Sequence, residues 1–373
     1  MNQNSYQISK LEMTITLITM IIGVGILTLP RALAAAVGTP DGWISIIISA
    51  VINMLIVYLI VKLHRNFPNL TFLQFICSSS LGKWIGKPLG IFFMVYFIFF
   101  LGFEARILSI VVKMYLLDRT PFEVTVLLIF LTTTYAVTKG VQGIIHLNLL
   151  FLPFLSAGVI ILIIFNLPEA QFDVILPITA EGFTPILMGL QETIFSFAGV
   201  EILFFFLAFM KLKDMKAASF NVGIAIVTGI YVVIVLLSYT ILSFESSEII
   251  VFPLVSLAKE VELIEGVLER YDPLMITIWV MTIFNTMAIA HFLATKIVKD
   301  EFLKKTRVST IAILITFLAF ISTFIPNSLQ ETFMMGEYVA YLGLGLMIVS
   351  LLVGYLFVWF KTGSKKQGES EVI

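Results

Sequence analysis

Residues 11–33 read LEMTITLITMIIGVGILTLPRAL. About 20 apolar residues cross a bilayer as a helix, so this stretch is long enough to span one. Yet Gly23, Gly25 and Pro30 stand in its second half. A helix interrupted at membrane depth frees backbone N–H and C=O groups that lipid cannot satisfy. Such a break survives only where it lines a cavity or meets a ligand. A second interruption, FSFAGVE at residues 195–201, lies in another apolar span of the second half. Two interrupted spans in matching halves point to a small-molecule site of the secondary-transporter kind between them.

Composition agrees with a membrane protein. Hydrophobic residues make up 59% of the 373 residues and charged residues 13%, and the mean hydropathy is +1.05. A soluble domain is nearer half apolar and a quarter charged. The single cysteine, Cys77, excludes an intramolecular disulfide and any cysteine-based metal cluster. His64, His146 and His291 fall in different segments, so no metal site or nucleophilic catalytic set can be built from them. No P-loop is present, and no cofactor or nucleic-acid partner is expected. The first ten residues are polar and no small-residue cleavage site follows, so the first span is expected to remain as an anchor.

The apolar runs predict an all-α membrane domain of ten spans, at about 11–33, 43–63, 89–117, 122–138, 145–165, 184–210, 217–243, 273–297, 308–325 and 338–360. With the N-terminus inside, the inner segments hold Lys10; Lys62, Arg65, Lys83 and Lys87; Lys139; Lys211, Lys213 and Lys216; Lys296, Lys299, Lys304, Lys305 and Arg307; and Lys361, Lys365 and Lys366. That is 17 of the 23 basic residues. The outer loops are acidic, with Glu169, Asp173, Glu181 and a run from Glu245 to Asp272. This is a positive-inside pattern with both termini cytoplasmic. Span 1 then runs inside to outside and span 6 the reverse. The two breaks therefore imply a 5+5 inverted repeat with helices 1 and 6 broken.

Two connections are more than links. Residues 64–88 are basic and amphipathic, which predicts a short helix along the inner surface. Residues 244–272 carry Leu254, Leu257, Ala258, Val261, Ile264, Val267 and Leu268 at near-helical period, with glutamates between. They predict an outer helix over the site. The polar segment 361–373 is expected to be a disordered cytoplasmic tail.

The candidate ligand residues follow from the breaks. At Gly23, Val24 and Gly25 the outer half-helix begins, and its free N–H groups suit a carboxylate. In span 6 the outer half ends near Ser196, Phe197 and Ala198, where free carbonyls suit an ammonium group. Together they fit a zwitterion such as an amino acid. Gly199 allows the second break. Glu201, in the first turn of the inner half, can cap the break, carry a proton or contact an amine. Phe99 and Phe103, with Tyr96 and Phe100, can wall a pocket. Thr282 and Thr286, with Asn285, offer polar groups from span 8. Glu104 and Arg106 do not share a helix face, so each needs a partner on another helix, with Glu192 a candidate for Arg106.

Three stretches together resemble the B subunit of bacterial spore germinant receptors, the GerAB family: GVGILTLP in span 1; RNFPNLT with LGKWIGKPLG at 65–71 and 81–90; and FPLVSL with ERYDPLMITIW at 252–257 and 269–279. That family lies in the amino acid–polyamine–organocation superfamily. The resemblance implies a leucine-transporter-like fold. It also implies a small germinant bound on the backbone at Gly23, Val24, Gly25 and 197–201, A-type and C-type subunits as partners, and the inner membrane of the spore as the location. One departure is plain. Some proton-coupled carriers of the superfamily place a lysine in span 5, and residues 145–165 hold none. A germinant-sensing subunit is the leading expectation, an active amino-acid or proton-coupled permease the alternative. An intramembrane enzyme lacks a convergent catalytic set.

Overall fold

The computed structural model describes residues 6–261 and 271–370, without the side chains of Phe195 and residues 362–370. It is built from helices. The helix α1 (Lys10–Ile22) opens with a capping box: the Ser9 hydroxyl accepts from the Glu12 N–H, and the Glu12 carboxylate accepts from the Ser9 N–H. It ends at Gly23, and α2 (Gly25–Val37) leaves at 51° to it. Glycine makes the kink possible because Gly23 takes ψ near −129°, outside the helical region.

The chain continues through α3 (Gly42–His64), α4 (Phe72–Ile76), α5 (Ser80–Tyr115), α6 (Phe122–Thr138) and α7 (Gly140–Asn166). The helix α8 (Thr184–Ser196) then stops. After residues 197–199 the chain resumes as a 3-10 turn (Val200–Ile202), α9 (Leu203–Phe206) and a second 3-10 turn (Leu207–Phe209). Next come α10 (Ala217–Ile241), α11 (Phe244–Ile249), α12 (Pro253–Lys259), α13 (Asp272–Ile297), α14 (Val308–Thr323) and α15 (Leu329–Ser370). Among the described residues six helices are long and apolar enough to cross a membrane, and the bent pair α1–α2 makes a seventh crossing. The segments 122–138, 200–209 and 308–323 are apolar but shorter.

Both expected breaks are present, in α1–α2 and after α8. The helix ends differ from the sequence reading in places. The third span starts at Ser80, not near 89, because the Ser79 hydroxyl caps the Gly82 N–H and the amphipathic turn runs straight into the apolar one. The surface helix expected over 64–88 is therefore short: α4, with its own Thr71–Gln74 capping box. The expected outer helix over 244–272 is divided in two before residue 260, since Pro253 starts α12 rather than continuing α11. Its remainder, 262–270, lies outside the described residues. The last helix starts at Leu329, and its backbone stays helical to Ser370 where a disordered tail was expected.

The core is aromatic and tightly interlocked. Tyr96 and Phe103 on α5 recur at seven residues, as do Gly336 and Gly343 on α15. A Cβ on either glycine would lie 2.6–2.8 Å from the facing ring. Small residues let helices pack closely where lipid gives no hydrophobic drive. The N-terminal segment ties the ends of the two broken spans: the Ile8 N–H donates to the Phe209 carbonyl at 2.9 Å.

Candidate functional site

The two breaks touch each other. A Cβ built on Gly25 would stand 2.9 Å from the Ser196 Cα, and one on Gly199 would stand 2.7 Å from the Met20 side chain. Gly199 also has φ +122°, a conformation that L side chains rarely adopt. The half-helices are thus held closer than a side chain on either glycine would allow.

Several of their freed backbone groups meet side chains from neighbouring helices. Tyr231, on α10, directs its hydroxyl at two carbonyls: Ile21 at 2.7 Å, from the end of α1, and Ser196 at 2.9 Å, from the end of α8. One phenol thereby joins both breaks. Its ring meets Phe197 edge-on at 5.7 Å between centroids. Glu201 closes the second break: its carboxylate accepts from the Gly199 N–H at 2.8 Å and from the Tyr96 hydroxyl at 2.6 Å. At the first break, Glu104 of α5 faces Gly23, where a Cβ would lie 3.2 Å from its Oε1. Its other oxygen accepts from the Thr286 hydroxyl of α13 at 2.9 Å.

Tyr231→Phe removes the shared donor and keeps the ring. An unsatisfied buried carbonyl costs about 1–3 kcal/mol. We expect a lower thermal midpoint for the purified variant, and an unchanged midpoint would show that water or a neighbour replaces the phenol.

A cavity of about 880 Å³ opens on the α2–α8 side of the breaks. Arg31, Phe103, Glu192, Ser196, Phe333 and Glu337 line it. Ser196 belongs to both the cavity wall and the break. A smaller cavity of about 250 Å³ lies between α3, α8 and α15, lined among others by Tyr96, Phe197, Ala198 and Glu201.

The placement of the expected ligand residues is therefore uneven. Gly23, Val24, Gly25, Glu104 and Thr286 cluster at the first break, and Phe197, Ala198, Gly199 and Glu201 at the second. Phe103 lines the large cavity. Thr282 lies one turn before Thr286 and donates to its own helix, at the Ile278 carbonyl. Phe99 lies elsewhere, in a groove with Ile325, Met335 and Tyr338. The pairing of Arg106 with Glu192 does not occur. Arg106 sits over the Phe122 ring at 4.5 Å, while Glu192 lines the cavity near Glu337. Tyr231 shows one sign in the sequence, a lone hydroxyl in the apolar run GIYVVIV.

This fold is that of membrane transporters. A nucleobase-cation-symport-1 family transporter, MHP1, solved with bromovinylhydantoin bound, superposes with a TM-score of 0.70, covering 93% of this chain and 78% of that one at 11% identity. MhsT in complex with L-phenylalanine gives 0.65, covering 95% and 89% at 14% identity.

The sequence narrows the class. The profile of the family described as spore germination protein matches residues 7–332, and the chain belongs to that family. It is 28% identical to spore germination protein YndE of Bacillus subtilis over 96% of this chain and 98% of that protein. It is also 28% identical to spore germination protein A2 of the same organism, over 90% and 91%.

Proposed function

We propose that the chain is the nutrient-sensing B subunit of a spore germinant receptor. It binds a small germinant, an amino acid in the first instance, at mid-membrane and signals to A-type and C-type subunits in the spore inner membrane. The observation that carries this reading is the meeting of two broken helices beside a cavity large enough to admit a small solute. The site takes Gly23, Val24 and Gly25; Phe197, Ala198, Gly199 and Glu201; and Phe103, Thr282 and Thr286 around them. Phe99 stands apart and serves as packing.

In this reading the three short apolar helical segments complete ten crossings in a 5+5 inverted repeat, with both termini cytoplasmic. The cavity then faces outward, where nutrients arrive. Ligand binding biases a two-state equilibrium only by its difference in affinity for the two states. The tight closure at Gly25 and Ser196 supplies one state, and parting of α2 from α8 supplies the other.

Cysteine labelling tests the orientation. Burial, and then the Glu301 carboxyl group, push the Cys77 thiol up to about 11, so the native thiol stays quiet near neutral pH. Cysteines placed at Asp118 and Glu181 should label from outside, and those at Asp214 and Lys305 only after permeabilisation. The reverse pattern would overturn the orientation.

An active permease is the second reading, favoured by the symporter among the solved neighbours. The two separate cleanly. Purified chain in nanodiscs should bind L-alanine, L-leucine, glucose or inosine saturably, while proteoliposomes holding the chain alone should show no uptake of the bound solute. Uptake by the chain alone supports the permease. Absence of binding to the whole panel counts against both.

A further inference from the structure

The first break was expected to present bare N–H groups to a ligand carboxylate. The structure has a carboxyl group of the protein there instead. Glu104 is 1% exposed, touches the position a Gly23 side chain would take, and accepts from Thr286. The nearest cation on its helix, Arg106, is turned to the Phe122 ring. Glu104 thus stands against the break, where an anionic ligand would, and meets a hydroxyl from a neighbouring helix. Free N–H groups at a half-helix start are the chemistry that attracts a carboxylate. A carboxyl group held at membrane depth without a cation is otherwise costly.

We infer that Glu104 is a built-in substitute for a ligand carboxylate at the span 1 break, so that the germinant is recognised through hydrogen-bond donors, ammonium or hydroxyl, and needs no carboxylate of its own. The inference rests on the proposed germinant site. The large cavity agrees with it: Glu192, Glu248 and Glu337 line it against one cation, Arg31, so it accommodates ammonium and hydroxyl solutes better than anions. For an amino acid, the amine would carry recognition and the carboxylate would be dispensable.

The test uses matched ligands on purified full chain in nanodiscs: L-alanine against L-alaninamide and L-leucine against L-leucinamide, with glucose and inosine as carboxylate-free solutes. In the wild type an amide should bind within about threefold of its acid, or a carboxylate-free solute should bind alone. A preference for the free acid of about tenfold or more overturns the inference and leaves the germinant site standing. Binding by no member of the panel removes the germinant reading instead.

A second arm needs no germinant. Glu104→Ala empties the acceptor position, and sodium propionate should raise the thermal midpoint of that variant where propionamide does not, with no such difference in the wild type. Equal effects of the two on the variant overturn the inference. Should Glu104→Ala not fold, the wild-type comparison of acid and amide decides alone.

Discussion

Spores carrying Gly25→Trp should fail to respond to a germinant that the wild-type chain senses, at normal protein levels. The reason is local. Even the first carbon of a side chain at Gly25 would press on the Ser196 backbone at 2.9 Å, and an indole must drive α2 away from α8. Overpacking of a tight contact costs about 1–3 kcal/mol and sometimes more. Spread over a two-state equilibrium, that is about 5–150-fold in population. The matched control is Gly229→Trp, because nothing lies within 4 Å of a Cβ there. It should germinate as the wild type does. Equal germination in all three strains would remove the breaks from the signalling path.

The second large effect is expected at Glu201. Its carboxylate serves two buried donors, the Gly199 N–H and the Tyr96 hydroxyl. Glu201→Ala orphans both, at about 1–3 kcal/mol each. Tyr96→Phe removes one donor and leaves the other bond intact. The double variant should therefore cost less than the sum of the singles, with a coupling of about 0.5–3 kcal/mol in unfolding of the purified chain. Additive costs would mean that Glu201 does not serve the break through Tyr96, and a direct ligand role would gain ground.

How much of the fold is legible in the sequence depends on distance along the chain. The breaks were legible because glycine within an apolar span is a local signal, at residues 23–25 and again at 197–199. Capping by Glu201 was also legible, since a carboxylate two residues past Gly199 falls in the first turn of the next half-helix. The partners across the fold were not. Thr286 meets Glu104 over 182 residues of sequence, and Tyr231 meets Ile21 over 210. No spacing rule links such pairs. Helix ends were misplaced where capping overrode hydropathy, as Ser79 does at the start of α5. Charge alone suggests an acidic partner for Arg106, yet an aromatic face, here Phe122, also holds a guanidinium. Phe99 and Phe103 share an aromatic run, but packing sends one to a separate groove and the other to the cavity.

The claim on which the rest depends is that two unwound backbones, in contact with each other, receive the germinant. An electron cryo-microscopy map of the full chain in lipid nanodiscs, with and without a saturating germinant, tests it most directly. The account predicts helical density interrupted at 23–24 and at 197–199, with added density beside Gly25, Ser196 and Thr286. Unbroken helices through both segments, or ligand density confined to the groove beside Phe99, would contradict it.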